Sequence, residues 1–396
     1  MARLSVAVDV IIFGGGVAGL WALSRLRKAG YQVVLLESHT LGAGQTRYSQ
    51  GIIHGGTKYA LTGKLTASSE AVSTMPQRWK QCLIGNGDVN LRAATVLSES
   101  QYLWSTQNLA SRVTGFFASQ VMRSRTQTVN KNQRPNLFQH AQFRGQVYRL
   151  DEPVLDTMSV VRALAEPEKV AIAHYHPHSL QVKNDALQVD LVDGQEIEFI
   201  YESVCLMAGQ GNAELLRAFN VAQPEMQCRP LHMVMMRGGL TDSIYAHCMG
   251  ASVNPRITIS SHRDATGDIV WYLGGQLAEE GVKRSVAEQI QFAKKEIAEL
   301  MPWLDLSNTQ WASLPIDRAE LMQGEGKRPD TFSLDNSNKK IITAWPTKLA
   351  LAPLLADALL ETLKTNVISQ SGVRPLPDWP QPEYALLPWQ EEARWN

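Results

Sequence analysis

Three glycines and a glutamate near the start of the chain have the types and the spacing of a dinucleotide-binding site. The stretch "GGGVAG" supplies Gly14, Gly16 and Gly19 in the pattern GxGxxG, and Glu37 follows. The first glycine allows a tight turn, the second lets the backbone approach a pyrophosphate, and the third lets a helix pack on a strand. The carboxylate of Glu37 can accept both hydrogen bonds of an adenosine ribose. The motif predicts bound FAD or NAD.

The elements that must position these residues are readable around the motif. Residues 6–13 (VAVDVIIF) are a run of branched apolar residues, typical of a parallel strand covered on both faces. The pattern becomes helical from Val17 and Ala18 onwards, and "YQVVLLE" predicts a second strand. The helix N-terminus offers unpaired N–H groups to a pyrophosphate. Strand, turn, helix, strand and acid in this order indicate a dinucleotide-binding unit.

The stretch after Glu37 favours FAD over NAD. An NAD enzyme normally continues with βα units, whereas "SHTLGAGQTRYSQGIIHGGTKY" is rich in Gly, Ser and Thr and has little periodicity. Thr46, Arg47 and Ser49 could clamp a pyrophosphate from the side opposite the helix. His54 follows, and a histidine there could donate a hydrogen bond or take a proton. Whether His54 is catalytic or only lines the cofactor stays open.

A second group of strands ends at another glycine-rich turn. "LQVDLVDGQEIEF" predicts a hairpin with an Asp-Gly turn, and "SVCLMAGQGN" predicts a strand that ends at Ala208, Gly209 and Gly211. The carboxyl end of such a strand is where an open sheet binds ligands. Residues 230–276 then have the alternating pattern of an antiparallel sheet.

The order of GxGxxG, acid, Ser/Thr-rich loop, hairpin and "AGQGN" strand end resembles the FAD-dependent D-amino-acid-oxidase superfamily. This superfamily includes glycine and sarcosine oxidases, L-2-hydroxyglutarate dehydrogenases and flavin-linked glycerol-3-phosphate dehydrogenases, and "IIHGGTKY" resembles a segment of the last two. The resemblance implies an α/β fold: a Rossmann-like FAD-binding domain with a central parallel sheet and a β-meander, plus an antiparallel-sheet (α+β) substrate domain. The predicted ranges are 1–90, 150–225 and 325–396 for the FAD-binding domain, and 91–149 and 226–324 for the substrate domain.

The predicted cofactor contacts combine the motif residues with positions that the resemblance implies. It would place His178 beside the adenine, and it would place "AWPTKLALAP" at the flavin N1–C2=O edge, with Lys348 as the stabilising cation. That segment lacks the glycines of the family loop. The full predicted set is Gly14, Gly16, Val17, Ala18, Gly19, Glu37, Ser38, Gly44, Thr46, Arg47, Ser49, Gly51, Ile52, His178, Ala208, Gly209, Gly211, Thr347, Lys348 and Leu349.

The predicted catalytic residues are His54, Lys348 and three further side chains. A substrate carboxylate would suit an arginine fork, and "PIDRAE" and "GKRPDT" supply Arg318 and Arg328. Tyr272 is a lesser candidate on a strand of the second sheet. FAD is predicted to be non-covalent, because the C-terminal loop has no cysteine and His54 lies past the position of histidyl linkage in some relatives. No metal site is predicted.

Composition excludes several other functions. The formal net charge is zero, which gives no electrostatic argument for nucleic acid. Four widely spaced cysteines form no CxxC pair and suit a reducing cytoplasm, the predicted location. Glycines and Asp9 interrupt the apolar N-terminal stretch, so no transmembrane segment is predicted, and peripheral membrane contact stays open. The Pro- and Trp-rich stretch from Pro375 is predicted to wrap the surface.

The sequence therefore predicts an FAD-dependent oxidoreductase that removes a hydride from a C–N bond of a small amino acid or amine. The chain is short for the extra C-terminal domain of glycerol-3-phosphate dehydrogenases, which favours amine oxidation, while the HGG segment favours C–OH oxidation of a 2-hydroxy acid or glycerol-3-phosphate type. A non-catalytic flavoprotein subunit of a larger oxidase is a third reading. O2 and a quinone both stay open as the electron acceptor.

Overall fold

The computed structural model describes residues 3–56, 72–106, 126–183, 186–250, 254–323, 329 and 331–395. Two eight-stranded sheets organise this part of the chain. The first has the order β17-β18-β11-β1-β2-β8, and β10 and β9 continue it from β11. Its strands are β1 (Leu4–Phe13), β2 (Val33–Glu37), β8 (Ile172–His174), β9 (Gln181–Lys183), β10 (Ala186–Asp190), β11 (Glu196–Leu206), β17 (Ser333–Asp335) and β18 (Ile341–Trp345).

The centre of the first sheet is parallel. β1 pairs in parallel with β2 and β11, as do β2 with β8 and β11 with β18. The antiparallel strands β9, β10 and β11 form the predicted β-meander, and Gly194 in its turn has φ of +88°. Val10 and Ile12 face one core cluster while Ile11 and Phe13 face another. Burial on both faces explains why β1 reads as an unbroken apolar run.

Helices cover both faces of this sheet. On one face α1 (Val17–Lys28) packs against α4 (Thr157–Ala165) and α8 (Ala352–Thr365), and on the other lies α5 (Asn212–Ala218). The two other helices near the first glycine turn and the loop after it are α2 (Gly44–Arg47) and α3 (Met75–Leu83). Trp79 of α3 packs on Trp21 with ring centroids 4.7 Å apart, and its Nε1 donates to Ala350 O at 3.1 Å.

The second sheet has the order β16-β12-β15-β14-β13-β4-β6-β5. Its pairs are antiparallel, as predicted, except that β13 and β4 run in parallel. Its strands are β4 (Gln101–Ser105), β5 (Thr126–Thr128), β6 (Val147–Leu150), β12 (Met226–Arg237), β13 (Ala246–Met249), β14 (Ile257–Arg263), β15 (Ile269–Gly274) and β16 (Gln310–Leu321). The short strands β3 (Val96–Ser98) and β7 (Val154–Leu155) form a separate pair.

The two faces of the second sheet have different partners. Trp271 and Trp311 on the outer face pack with Ile297 of α7 (Val286–Leu300), which follows α6 (Gln276–Glu280). Ser285 begins α7 with a capping box closed by Glu288. On the inner face, Met233, Met235, Tyr272 and Leu314 belong to the same core cluster as α1 and β1. The inner face therefore shares one core with the first sheet and its helices. The division into domains at the predicted boundaries stays a prediction.

The segment from residue 375 onwards is more deeply placed than its sequence suggested. Trp379, Trp389 and Trp395 are all buried. Leu41 N donates to Glu383 O at 2.7 Å, and Ala385 N donates to Leu41 O at 3.0 Å. The predicted surface wrap is thus anchored in two different cores: Trp379 packs beside Phe199 on one face of the first sheet, whereas Trp389 and Trp395 belong to the cluster that includes the inner face of the second sheet. Among the described residues, no helix is both long and apolar enough to cross a membrane.

Candidate active site

The first glycine turn has the geometry that a dinucleotide needs. Gly14 has φ of +108°, and a Cβ there would lie 2.6 Å from the Cα of Ala208. A Cβ at Gly19 would lie 2.0 Å from Gly14 O, so α1 can approach β1 only with glycine there. Helix α1 begins after Gly16 without a side-chain cap. Its first N–H group, that of Val17, points at Thr46 Oγ1 at 3.2 Å. Ala18 follows in the same first turn.

Glu37 ends β2 beside this turn. Its Oε2 accepts from Gly15 N at 2.6 Å and its Oε1 accepts from His39 N at 2.9 Å. Ser38 Oγ lies 2.9 Å from His39 Nδ1. The carboxylate is thus fixed at the carboxyl end of β2, within reach of the glycine turn, as a ribose-binding acid would be.

The second glycine turn meets the first at the same sheet edge. Ala208 N donates to Asn212 Oδ1 at 2.8 Å, and Gly209, with φ of +59°, accepts from Trp345 Nε1 at 3.1 Å. The single 3-10 turn Gly209–Gly211 leads into α5. The carboxyl ends of β1, β11 and β18 therefore converge, as the strand order predicts for a ligand site.

Arg47 is held by the chain's last described segment. Its Nη2 forms an ion pair with Glu391, and its guanidinium lies 5.1 Å from the ring centroid of Tyr48. Burial lowers the pKa of Arg47 from its ordinary value. Its Nε is buried and has no hydrogen-bond partner within the part of the chain that the structure describes. Gly44 begins the same short helix, and Ser49 Oγ accepts from Gly51 N at 3.2 Å.

The loop after Arg47 lies against the inner face of the second sheet. Gln50 Nε2 donates to Tyr272 O at 3.0 Å, while the Tyr272 hydroxyl donates to Tyr48 O at 3.2 Å. Ile52 forms an isolated bridge with Val154. A Cβ at Gly51 would lie 2.0 Å from Leu155 O, which explains the glycine. Tyr272 is fully buried, and burial raises the pKa of its phenol well above the usual range.

His54 faces a buried carboxylate at the end of this loop. Its Nδ1 lies 3.7 Å from Glu152 Oε2, and its side chain is 42% exposed against 7% for Glu152. Glu152 also accepts from Gly55 N at 2.8 Å and from Gln101 Nε2. The ring of His247 lies 5.5 Å from the ring of His54. The pair is therefore accessible on the histidine side and enclosed on the carboxylate side.

His247 completes this cluster as a neutral ring. Its Nδ1 lies 2.8 Å from Thr258 Oγ1, and the side chain is buried. Burial, with a smaller contribution from the neighbouring His54, lowers the pKa of His247 to about 3. Sequence reasoning missed Glu152, Gln101 and His247. Two of them could have been found, because Gln101 and His247 are polar residues in two largely apolar strands, "QYLWS" and "AHCM".

The segment before α8 has a strained turn in place of the family glycines. Thr347 has φ of +56°, and its Oγ1 donates to Thr331 O at 2.9 Å. Lys348 is half-buried and extended, and its carbonyl accepts from Leu351 N at 3.1 Å. Leu349 begins the 3-10 turn that leads into α8. The threonine hydroxyl bond fixes a backbone conformation that glycine adopts without strain.

The remaining predicted residues are dispersed. Arg318 is half-buried on β16, and the next residue's N–H donates to Gln45 Oε1 at 3.0 Å, which joins β16 to the loop that carries Thr46 and Arg47. His178 is exposed after β8. Arg328 lies outside the described residues. No cluster of metal-ligating side chains occurs among the described residues.

Comparison with known proteins identifies the class. The family model described as "FAD dependent oxidoreductase" (DAO) matches residues 9–333. The probable FAD-dependent oxidoreductase PA4991 of Pseudomonas aeruginosa is 45% identical over 98% of both chains. Its crystal structure superposes with a TM-score of 0.84, at 40% identity over 98% of each chain. Glycine oxidase from Geobacillus kaustophilus has the same fold, with a TM-score of 0.62 at 14% identity over 91% of this chain and 95% of its own.

The chain belongs to this DAO family and is an FAD-dependent oxidoreductase. The uncapped helix N-terminus, the glycine turns and the carboxylate at the end of β2 fit the cofactor. The comparisons thus confirm the fold class, FAD and the enzyme class.

Proposed function

We propose that the protein oxidises the C–N bond of a small amino acid or amine, with His54 as the proton acceptor. The observation that carries this proposal is the pair formed by the accessible His54 and the buried Glu152, on the loop that follows the cofactor-binding turn. Bound FAD would supply the hydride acceptor. An amino acid in water is an ammonium ion and must lose a proton before a hydride can leave, so a base is required.

The residues that would hold FAD divide by position. Gly14 to Val17 and Thr46 would hold the pyrophosphate, and Glu37 would hold the ribose. Gly51 and Ile52 would lie along the ring, and Lys348 would stabilise negative charge at its N1–C2=O edge. We propose that the bond to FAD is non-covalent. Acid precipitation of the holoprotein should then give a colourless pellet and a yellow supernatant; a yellow pellet would contradict this.

Glu152 would orient His54 and favour its protonation when the substrate proton arrives. The carboxylate is fixed by Gly55 N and Gln101 Nε2, so it can hold the imidazole without moving. His247 beside it stays neutral and adds no competing positive charge. A substrate carboxylate would pair with Arg318 or Arg328. An Arg328→Ala variant should raise KM; an unchanged KM would remove that role from Arg328.

Amine oxidation is supported by several structures with this fold. They include glycine oxidase and the iminodiacetate oxidase of Chelativorans, the second at a TM-score of 0.64 and 11% identity, over 93% of this chain and all of its own. C–OH oxidation is the second candidate. A 59-residue segment is 37% identical to glycerol-3-phosphate dehydrogenase 1 of Mycobacterium tuberculosis, a match of 15% of this chain and 11% of that protein.

Anaerobic flavin reduction, screened across amino acids, amines and 2-hydroxy acids, tests the proposal. We expect rapid bleaching of the flavin absorbance by an amino acid or amine. Bleaching by a hydroxy acid alone would select the second candidate. Repeating the reaction in air separates O2 from a quinone as the acceptor.

A His54→Ala variant tests the proton acceptor. We expect it to retain FAD but to reduce it about 10²- to 10⁴-fold more slowly, the range of a lost general base. His140→Ala, at an exposed ring stacked on Trp303, is the matched control and should react at the normal rate. Full turnover by His54→Ala would end the catalytic role of His54.

A further inference from the structure

Residues 383–395, here called the strap, connect residues 41–56, here called the cofactor loop, with the second sheet. The strap begins with the two hydrogen bonds to Leu41, three residues before Gly44. It ends with Trp395, whose ring lies 4.5 Å from the Arg237 guanidinium of β12. The strap lies beyond residue 333, where the match to the family model ends. No role of the strap therefore follows from that match.

Trp389 anchors the middle of the strap. It is almost fully buried, and its ring stacks on that of His262 with centroids 3.8 Å apart. It also packs on Tyr272 at 5.4 Å. The Tyr272 hydroxyl donates to Tyr48 O of the cofactor loop. The indole of Trp389 therefore packs against the side chain that holds the main chain of this loop.

Two neighbouring carboxylates of the strap point to different partners. Glu391 forms an ion pair with Arg47 of the cofactor loop, and it also accepts from Arg394 Nε. Glu392 accepts from both Nη atoms of Arg237, each at 2.8 Å, on the second sheet. Glu391 therefore binds a residue of the cofactor loop, whereas Glu392 binds a residue of the second sheet.

The guanidinium of Arg47 has one buried nitrogen, Nε, that the ion pair with Glu391 does not use. Glu391 occupies Nη2, while the buried Nε has no partner among the described residues. A buried donor without a partner is costly, at about 1–3 kcal/mol, unless a ligand accepts from it. Glu391 thus fixes the guanidinium through Nη2 and leaves the buried Nε available to an acceptor on a ligand.

We propose that the strap positions the cofactor loop, with Glu391 orienting Arg47 and Trp389 holding Tyr272 against the loop. Both are positioning residues, since neither needs to touch FAD or substrate. The proposal concerns FAD binding alone and does not depend on which substrate the enzyme oxidises.

The test compares Glu391→Ala with Glu392→Ala in the full-length holoprotein. FAD released at equilibrium is measured by ultrafiltration and flavin fluorescence, and the bound flavin is followed by visible circular dichroism. We expect Glu391→Ala to raise the FAD Kd about tenfold, as for a lost charge-assisted hydrogen bond, and to alter the dichroism. Glu392→Ala should keep the Kd within about twofold of the unaltered protein.

A conservative variant and a stability measurement separate positioning from general loosening. Glu391→Gln keeps a hydrogen-bond acceptor and should fall between the unaltered protein and Glu391→Ala in FAD Kd. The Tm of each apoprotein records the purely structural effect. An equal rise in Kd for both alanine variants, or an unchanged Kd and dichroism in Glu391→Ala, would overturn the proposal. Failure of every substrate in the flavin-reduction screen would leave this result intact.

Discussion

The proposed adenosine end and the proposed ring end of the cofactor site are built from the chain in opposite ways. At the adenosine end, the bond from Gly15 N to Glu37 joins residues 22 positions apart. Towards the ring end, the bond from Arg47 of the proposed pyrophosphate clamp to Glu391 spans 344 positions, and the bond from Tyr272 to Tyr48 spans 224. A local βαβ unit therefore makes the first end, whereas the second needs both sheets and the strap. We therefore expect the first end to be most sensitive to substitution of single glycines. We expect the second end to be most sensitive to changes in side chains that pair over long distances in the sequence.

The largest effect is expected from Gly19→Ala. Its Cβ would lie 2.0 Å from Gly14 O, so α1 must move away from β1 and misplace the helix N-terminus. We expect the FAD affinity to fall about 10- to 100-fold, in line with an overpacking penalty of about 1–3 kcal/mol. Equilibrium dialysis of FAD measures this.

Gly194→Ala is the matched control for the adenosine end. Gly194 has φ of +88°, unlike the helical Gly19, and a Cβ there would meet no atom within 4 Å. The variant should lose about 1 kcal/mol of stability from backbone strain and keep its FAD affinity. Normal FAD affinity in Gly19→Ala would show that the glycine turn does not decide cofactor binding.

The second effect concerns acid stability at the ring end. Burial lowers the pKa of His262, like that of His247, to about 3. The unfolded chain, with histidine pKa values of about 6.5, takes up these protons first as the pH falls. With respect to these two rings, the free energy of unfolding is therefore highest above about pH 6.5. It falls as the pH drops towards 3, by up to about 1.4 kcal/mol per pH unit for each ring.

His262→Gln tests this assignment. Between pH 6.5 and 5.0 it should lose about 2 kcal/mol less unfolding free energy than the unaltered protein, as measured by urea unfolding. His140→Gln, at an exposed ring, is the control variant measured alongside it. An unaltered slope in His262→Gln would mean that its ring is protonated in the folded protein.

The third prediction changes Glu152 to Gln. Without the carboxylate, the neighbouring imidazole loses the group that would orient it and balance the positive charge it gains from the substrate proton, so flavin reduction should slow about tenfold. FAD content should stay normal. Glu168→Gln removes a carboxylate that pairs with Arg27 of α1 instead, and should change neither quantity. Stopped-flow reduction at several pH values decides between a positioning carboxylate and a purely structural one.

The smallest effect is expected from Tyr272→Phe, which deletes only the hydroxyl that donates to Tyr48 O. One hydrogen bond of about 0.5–1.5 kcal/mol is lost, so the FAD Kd should rise about threefold and flavin reduction should stay near normal. A fall of 100-fold or more in the rate of flavin reduction would instead give Tyr272 a catalytic role.

Sequence alone predicted the first sheet well, because its signals are local. The glycine spacing, the acid at residue 37 and the Asp-Gly hairpin each reside in one short segment, and the parallel centre and the meander are confirmed. The inner face of the second sheet was predictable only as an alternating pattern. Its parallel pair, β4 with β13, joins segments more than 140 residues apart, which no periodicity encodes.

Sequence reasoning did not identify Glu152 and Glu391, because their roles also depend on contacts with distant parts of the chain. Glu152 lies in "LDEPV", where an exposed acid reads identically to one buried against a histidine. Glu391 lies in a stretch whose Pro and Trp content predicted a position at the surface. Both positions acquire their chemistry from neighbours about one hundred or more residues away, here Gly55 and Arg47. The catalytic and cofactor roles of individual side chains stay predictions until the variants are measured.

The order of strands in the first sheet has a consequence for how the protein is made. β1 leaves the ribosome well before β11, which ends at residue 206 and pairs with it, and before β18, which ends at residue 345 and pairs with β11. Until β11 is made, β1 is paired on the β2 side only, and such non-local parallel pairing is slow. A nascent chain stopped before β18 would expose the edge of β11. Chaperone demand during synthesis should therefore persist until late in translation, in contrast to a protein whose sheet closes within its first half.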